Sequence, residues 1–318
     1  MLKTDKSPFH SIKLISFDRH LDEMIKLYDS GFFPKVFLLN GKKGIGKFTL
    51  VFHFLNYIFT KKEVTKYNIS EKIIDINSVF YNSILNESCS DVIFLQAQEG
   101  KNIKIDDIRN LKSTLTKSSL TNNPRFIIID EVEFLNINSA NALLKTLEEP
   151  SENNFFILIN NQQANLLETI SSRCLKNNIF LKLSEQKKII EHLTASKKLN
   201  IFIDKTGYLT PGMLLIYADL SGKYKIDVNE NILLKLNKLL YGYKKDKNKA
   251  LVGMSIFLID QFFYTLVKDN KDNIDFFLNL KSSIVSSIND FILYNLNINS
   301  VLSSIELKLN KCQIKISI

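Results

Sequence analysis

Cysteine is scarce in this 318-residue chain: Cys89, Cys174 and Cys312 stand far apart, with no CxxC spacing. That argues against a disulfide framework and against a structural zinc site built on thiolates. The four histidines are scattered and form no HExxH-type metal face. No apolar run reaches the roughly 18 residues that a membrane-spanning helix needs. The opening MLKTDKSPFHSIKL lacks the apolar core of a secretory signal. A cytoplasmic protein with no membrane partner is the expectation. Arginine is the other scarce residue: only Arg19, Arg109, Arg125 and Arg173 occur among 42 basic residues. Lysine, asparagine, isoleucine and phenylalanine are abundant, as in an AT-rich coding background. In such a background an arginine is less expected as a casual surface charge.

What is present is a chain longer than one typical domain, so two or three domains are expected. A hydrophobic content of 45% with mean hydropathy near zero fits a soluble protein with a substantial core. The net charge of +9 is compatible with nucleic acid as a partner without requiring it.

Residues 18–33 read as a short amphipathic helix ending near Gly31. VFLLN (Val36–Asn40) follows as a buried strand and leads into GKKGIGKFTL. Strand, glycine loop and helix are the context of a phosphate-binding loop. Gly41, Gly44 and Gly46, with Ile45 between them, let backbone N–H groups converge on an anion at a helix N-terminus. Lys47 would reach the terminal phosphates. The GxxxxGK[ST] pattern fails at its last position: Phe48 stands where a hydroxyl should ligate Mg²⁺. Thr49 comes one residue late, rotated by about 100° on the helix. A glycine turn that binds no nucleotide is the alternative.

Residues 61–90 are polar with scattered apolar positions, and DVIFLQ (Asp91–Gln96) is a second strand. Ile105–Leu115 is a helix with Asp106 and Asp107 in its first turn. Arg125–Asp130 is a third strand, ending at Asp130-Glu131. There a phosphate-loop protein holds Mg²⁺ and polarises water; an ordinary acidic loop is the alternative. Asn138–Glu149 is a helix capped by Asn138 and stopped by Pro150. Phe155–Ile159 is a fourth strand running into Asn160-Asn161, where the Asn160 amide would sit beside a γ-phosphate. Leu166–Ser171 leads to Ser172-Arg173-Cys174, and Ile179–Leu183 is a fifth strand. The fold class is α/β, an open parallel sheet.

Composition changes at Ser184. A helix over 184–198, a turn or short helix over 200–209 and a helix from Thr210 form a small helical unit. From Asn229 the chain is helical, with a loop at Gly242 and YKKDKNK, then helices over Ala250–Val267 and Asp275–Leu296. These last are apolar on more than one face, which fits burial against a partner or within a self-contained bundle.

NSANALLKTLEEP followed by TISSRC, behind a GIGK loop, resembles the AAA+ clamp-loader subunits of bacterial replicases. The resemblance covers Gly41 to Cys174 with specific motifs. It implies an AAA+ P-loop domain (1–183), a helical lid (184–225) and a helical collar (226–318) that joins subunits. Partners would be gamma/tau-like motor subunits and delta-like subunits in a hetero-pentameric ring, the sliding clamp, and primed DNA. Arg173 would be supplied in trans to ATP on the neighbouring motor subunit. Two departures from the family pattern concern this chain's own site. Phe48 replaces the metal-ligating hydroxyl, and Met213 follows Pro211-Gly212 where motor subunits carry a sensor arginine. They imply a subunit of the polymerase holoenzyme that binds ATP or ADP weakly, with impaired Mg²⁺ handling, and does not hydrolyse it. Asp130-Glu131 keeps a hydrolysing motor subunit as the alternative. Only Cys89 lies where relatives carry a zinc module, so no zinc is expected.

Overall fold

Among the described residues five runs form strands: β1 (Val36–Asn40), β2 (Val92–Gln96), β3 (Arg125–Asp130), β4 (Asn154–Asn160) and β5 (Leu175–Asn178). In the computed structural model they form one parallel sheet in the order β2-β3-β4-β1-β5. The structure describes residues 8–97, 102–116, 123–197, 209–270 and 273–316. The chain divides into two compact units, Met1–Leu193 with Thr210–Gly212, and Thr194–Leu209 with Met213–Ile318. Most of the segment expected as a lid is thus grouped with the C-terminal helices. The element expected over 200–209 lies almost wholly outside the described residues.

In the first unit β1, β3 and β4 are covered on both faces, which is why they read as unbroken apolar runs. Side chains alternate along each strand. Phe37, Leu39, Phe126, Ile128, Ile157 and Ile159 enter one core layer, against α1 (Asp18–Asp29), α2 (Lys47–Thr60) and α3 (Val79–Leu85). Leu38, Ile127, Ile129, Phe156 and Leu158 enter the other, against α4 (Ile105–Thr116), α5 (Ile137–Glu148) and α6 (Glu168–Ser171). The fifth strand is Leu175–Asn178 and not Ile179–Leu183. It is an edge strand paired only with β1, so its LKNN sequence need not be apolar. The cap of α5 is likewise Asn136, whose side chain accepts from Ser139 N, and not Asn138.

The 61–90 segment is fastened by polar side chains and ring packing. The Glu63 carboxylate accepts from Val79 N and Phe80 N at the start of α3, and Phe59 stacks on Phe80 at 4.6 Å. Buried His53 bonds Tyr67 Oη at 2.9 Å and Ser11 O at 2.8 Å. Burial pushes its pKa down to about 4. Among the described residues no three His, Cys, Asp or Glu side chains gather as a metal site.

After α7 (Leu183–Lys197), the second unit comprises most of α8 (Pro211–Lys223), then α9 (Ile232–Asp246), α10 (Lys249–Asp269), α11 (Ile274–Leu293) and α12 (Ile298–Ile316). Leu236, Leu240, Ile259, Phe263, Phe277 and Ile284 form the heart of its core. The loop expected at Gly242 is instead helix. A Cβ at this position would meet the Tyr224 ring at 2.5 Å, so glycine is there for close packing. No uninterrupted apolar run reaches 18 residues, although among the described residues α10 is long and apolar enough by length and composition to span a bilayer. Averaging over Ser255, Asp260 and Gln261 still leaves it apolar, and its buried face (Leu251, Met254, Leu258, Phe263) is core.

Candidate functional site

Every strand ends on a polar residue: Asn40, Gln96, Asp130, Asn160 and Asn178. The sheet register sets Asn160, Asn40 and Asn178 side by side, and Gln96 opposite Asp130. Asn160 Nδ2 donates to Asn40 Oδ1 at 3.0 Å, and Asn40 Nδ2 to Asn178 Oδ1 at 2.8 Å. An open cavity of about 400 Å³ lies over this edge, lined by Asn40, Asn160, Gln162, Gln163, Asn165 and Leu166 among others.

The glycine loop follows β1. Gly41 is required by close approach, since a Cβ there would lie 2.6 Å from Ile179 O. Gly44 and Gly46 have φ of 79° and 108°, in the left-handed region that favours glycine. Ile45 is buried in the core. Lys47, only 3% exposed, turns back onto its own loop and donates to Gly41 O at 2.6 Å and Lys42 O at 2.8 Å. Burial lowers its pKa to about 8, against the opposing pull of Asp130 and Glu133. The Phe48 ring joins the core, edge-on to Phe9 at 5.2 Å and tilted against Phe94 at 5.6 Å. Position 48 therefore offers no oxygen to a metal. Thr49 is half-buried on the next step of α2.

Two residues from far along the chain also hold this loop. Thr210 Oγ1 donates to Lys43 O at 2.8 Å, and Gly212 N to Gly44 O at 2.7 Å. A Cβ on Gly212 would lie 2.7 Å from Gly44 Cα.

Asp130 and Glu131 are both buried, and Glu131 has a φ of 58°. Asp130 Oδ1 accepts from Asn161 Nδ2 at 2.9 Å and from Glu131 N at 2.8 Å. Burial, then the charge of Glu131, raises the Asp130 pKa to about 6, with the Asn161 bond opposing. Lys43 Nζ reaches Glu131 Oε1 at 2.7 Å, and Gln163 Nε2 approaches the same oxygen at 3.3 Å. Glu133 accepts from Asn161 N at 3.0 Å and Gln163 N at 3.3 Å, fixing the turn after β4.

The structure thus gathers Gly41 to Lys47, Asp130, Glu131 and Asn160 at one sheet edge, and directs Phe48 into the core. Asn161, rather than Asn160, meets Asp130. Lys43, Glu133, Asn161, Gln163, Thr210 and Gly212 were missed as site residues. Lys43 lies within the glycine loop, Asn161 in the Asn160-Asn161 pair and Gly212 in Pro211-Gly212, whereas Glu133 resembles any surface acid. Of these side chains Phe48 contributes no ligand to a magnesium ion, and Lys47 and Glu131 are bonded to their own chain.

Arg173 stands apart, just after α6, with its side chain 31% exposed. Its Nε donates to Glu148 Oε1 at 2.7 Å, and Nη2 pairs with the same carboxylate. Nη1 donates to Thr169 O at 2.8 Å and lies 3.4 Å from Ser172 Oγ. The Cys174 thiol packs inward, donating to Ile170 O at 3.1 Å. Rarity alone does not mark function, however. Arg19 and Arg109 form exposed pairs along their own helices, with Glu23 and Asp106.

A parallel sheet with a glycine loop after β1, paired carboxylates after β3 and amides after β4, continued by helices, is an AAA+ P-loop fold. Residues 18–182, just over half of the chain, match the family model described as DNA polymerase III, delta subunit. The chain belongs to this family of bacterial clamp-loader proteins. It is similar to DNA polymerase III subunit delta' of Pseudomonas aeruginosa, 30% identical over 142 residues, covering 44% of this chain and 41% of that protein. It is also similar to DNA polymerase III subunit gamma of Buchnera aphidicola, 31% identical over 150 residues, covering 47% and 39%. The match thus spans about two-fifths of the length of these relatives. A Thermotoga maritima gamma-subunit-related structure aligns over 96% of this chain and all of its own, at 20% identity and a TM-score of 0.46.

Proposed function

We propose that this chain is a delta-prime-type subunit of a bacterial clamp loader, helping to load a sliding clamp onto primed DNA. It does not hydrolyse ATP and supplies Arg173 in trans to nucleotide on a neighbouring motor subunit. Its partners are gamma/tau-like and delta-like subunits in a hetero-pentameric ring. Leu293 and Leu307 in the C-terminal helices and Tyr294 just after α11 are 73%, 66% and 71% exposed, which suits a collar that packs against other subunits.

One observation carries the reading. At the chain's own phosphate loop two of the three lysines are bonded internally, Lys47 to loop carbonyls and Lys43 to Glu131, while Lys42 is exposed, and the metal position is an aromatic ring in the core. Any ATP or ADP held there is bound weakly and without a productive metal. Arg173, by contrast, is half-buried on a turn at the edge of the unit. Guanidinium stays charged and forks onto phosphate oxygens, which lysine cannot do. The test is the DNA-stimulated ATPase of the reconstituted complex with Arg173→Ala. A rate loss of about 10³-fold or more is expected, and an unchanged rate would sink the proposal.

The second reading is a motor subunit of the same loader. It is favoured by Lys47 lying close enough to Asp130 for each to shift the other's pKa. It requires that Lys47→Ala abolish the complex's ATPase. Matches to both delta' and gamma relatives do not separate the two.

A further inference from the structure

Glu148 is the last residue of α5, and a carboxylate there sits at the negative end of the helix dipole. Glu149 follows it, so two acids crowd a helix end that disfavours both. Only the first of them touches Arg173: Nε at 2.7 Å and Nη2 both bond to its Oε1. The other side of the guanidinium is fixed by Thr169 O at 2.8 Å. The Nε–Nη2 edge is therefore taken by Glu148, and Nη1 by Thr169 O and, at 3.4 Å, by Ser172 Oγ, which leaves one of the five guanidinium hydrogens, on Nη2, uncommitted.

We infer that Glu148 is a positioning residue for Arg173, clamping the guanidinium in one orientation so that its remaining Nη2 hydrogen, and the Nη1 hydrogen on the long Ser172 contact, are presented to a phosphate on the adjacent subunit. The inference rests on the function proposed above. An unclamped arginine side chain samples many rotamers, and each must be frozen out when it engages developing charge. Glu148 removes that search before the subunits meet. The carboxylate also leaves the guanidinium charged and desolvates only one edge of it, so the charge that stabilises the transition state is kept. The bond runs from α5 to the turn after α6, which also ties the NSANALLKTLEEP segment physically to TISSRC.

The test uses complexes reconstituted with saturating variant subunit, with DNA-stimulated ATPase as the readout. Glu148→Ala should lower kcat by about 10- to 100-fold with KM for ATP nearly unchanged. Glu148→Gln, which keeps an oxygen for Nε, should recover most of the rate. Glu149→Ala removes the same charge one residue away, touches nothing of Arg173 and should behave as the parent. Glu148→Ala added to Arg173→Ala should cost nothing further. The thermal midpoint of the isolated chain should move little in each, since half-exposed ion pairs contribute little to stability. If Arg173→Ala slows the complex while Glu148→Ala runs at the parental rate, or Glu149→Ala slows it equally, the positioning role is overturned and the finger stands. If Arg173→Ala is itself without effect, the finger reading fails and this one with it.

Discussion

The carboxyl ends of β1 and β3 and the turn after α6 hold the same ingredients, a cation beside carboxylates, in opposite conditions. At the sheet edge Lys47, Asp130, Glu131 and Glu133 are drawn inward, Lys43 reaches Glu131 from a half-exposed position, and the acids bond to Asn161, Gln163 and backbone N–H groups. Thr210 and Gly212 add bonds to the Lys43 and Gly44 carbonyls. At the turn, Arg173 and Glu148 remain at the surface. A buried polar lattice whose members satisfy one another rigidifies a fold and resists rearrangement around a ligand. A half-exposed cation clamped on one edge is ready to be shared. On the function proposed above, motif residues would be retained as structure at the sheet edge while Arg173 acts on a neighbour's nucleotide.

The comparison can be broken most sharply at Arg173. Arg173→Lys keeps the charge and loses the fork, so complex ATPase should fall about as far as with alanine, roughly 10³-fold. A lysine variant at the parental rate would mean that only net charge matters there. At the sheet edge the corresponding change is Phe48→Ser, which restores a hydroxyl to the metal position. It should cost about 3–5 kcal/mol by removing a buried ring, read by denaturant unfolding. It should also confer no ATP hydrolysis on the isolated chain, because Lys43 still holds Glu131. Measurable turnover would show that Phe48 alone had silenced the site.

Asp130 and His53 give a pH signature of the buried lattice. Asp130, with its pKa raised from 3.8 to about 6 by burial and by Glu131, contributes stability fully below pH 3.8 and loses it as the pH rises through about 6. His53 does the reverse, contributing fully above pH 6.5 and losing it as the pH falls through about 4. Between about pH 4 and 6 the two oppose each other. Asp130→Asn should therefore leave His53 unopposed, and stability should climb with pH across that window by about 3 kcal/mol relative to the parent. Equal pH profiles for both proteins in thermal melts would place Asp130 in a solvated setting. The smallest effect is expected from Gly212→Ala, whose methyl would meet Gly44 backbone at 2.7 Å. About 1–3 kcal/mol of destabilisation is expected, and none would mean that the Thr210–Gly212 contact yields readily.

The sheet was largely legible because central parallel strands are buried on both faces and so read as apolar runs. β5 was not, because an edge strand can be polar, and Ile179 beyond it drew the eye as the apolar residue. The phosphate loop and Asp130-Glu131 were legible as a motif, but their condition was not. Whether Lys43 bonds Glu131, and whether Lys47 faces a ligand or its own carbonyls, depends on loop conformation that spacing does not encode. Glu133 and Asn161 come together only through the β3–β4 pairing. Glu148 illustrates the same gap: the LEEP motif and the SRC motif were each visible, while the bond between them is tertiary.

The most direct measurement compares two complexes side by side, one carrying Lys47→Ala and the other Arg173→Ala in this subunit, assayed for DNA-stimulated ATP hydrolysis. With a silent site of its own and an exported arginine, the lysine variant should match the parent within about twofold while the arginine variant falls by about 10³-fold. A collapse of the lysine variant with the arginine variant unaffected would contradict this and make the chain a motor.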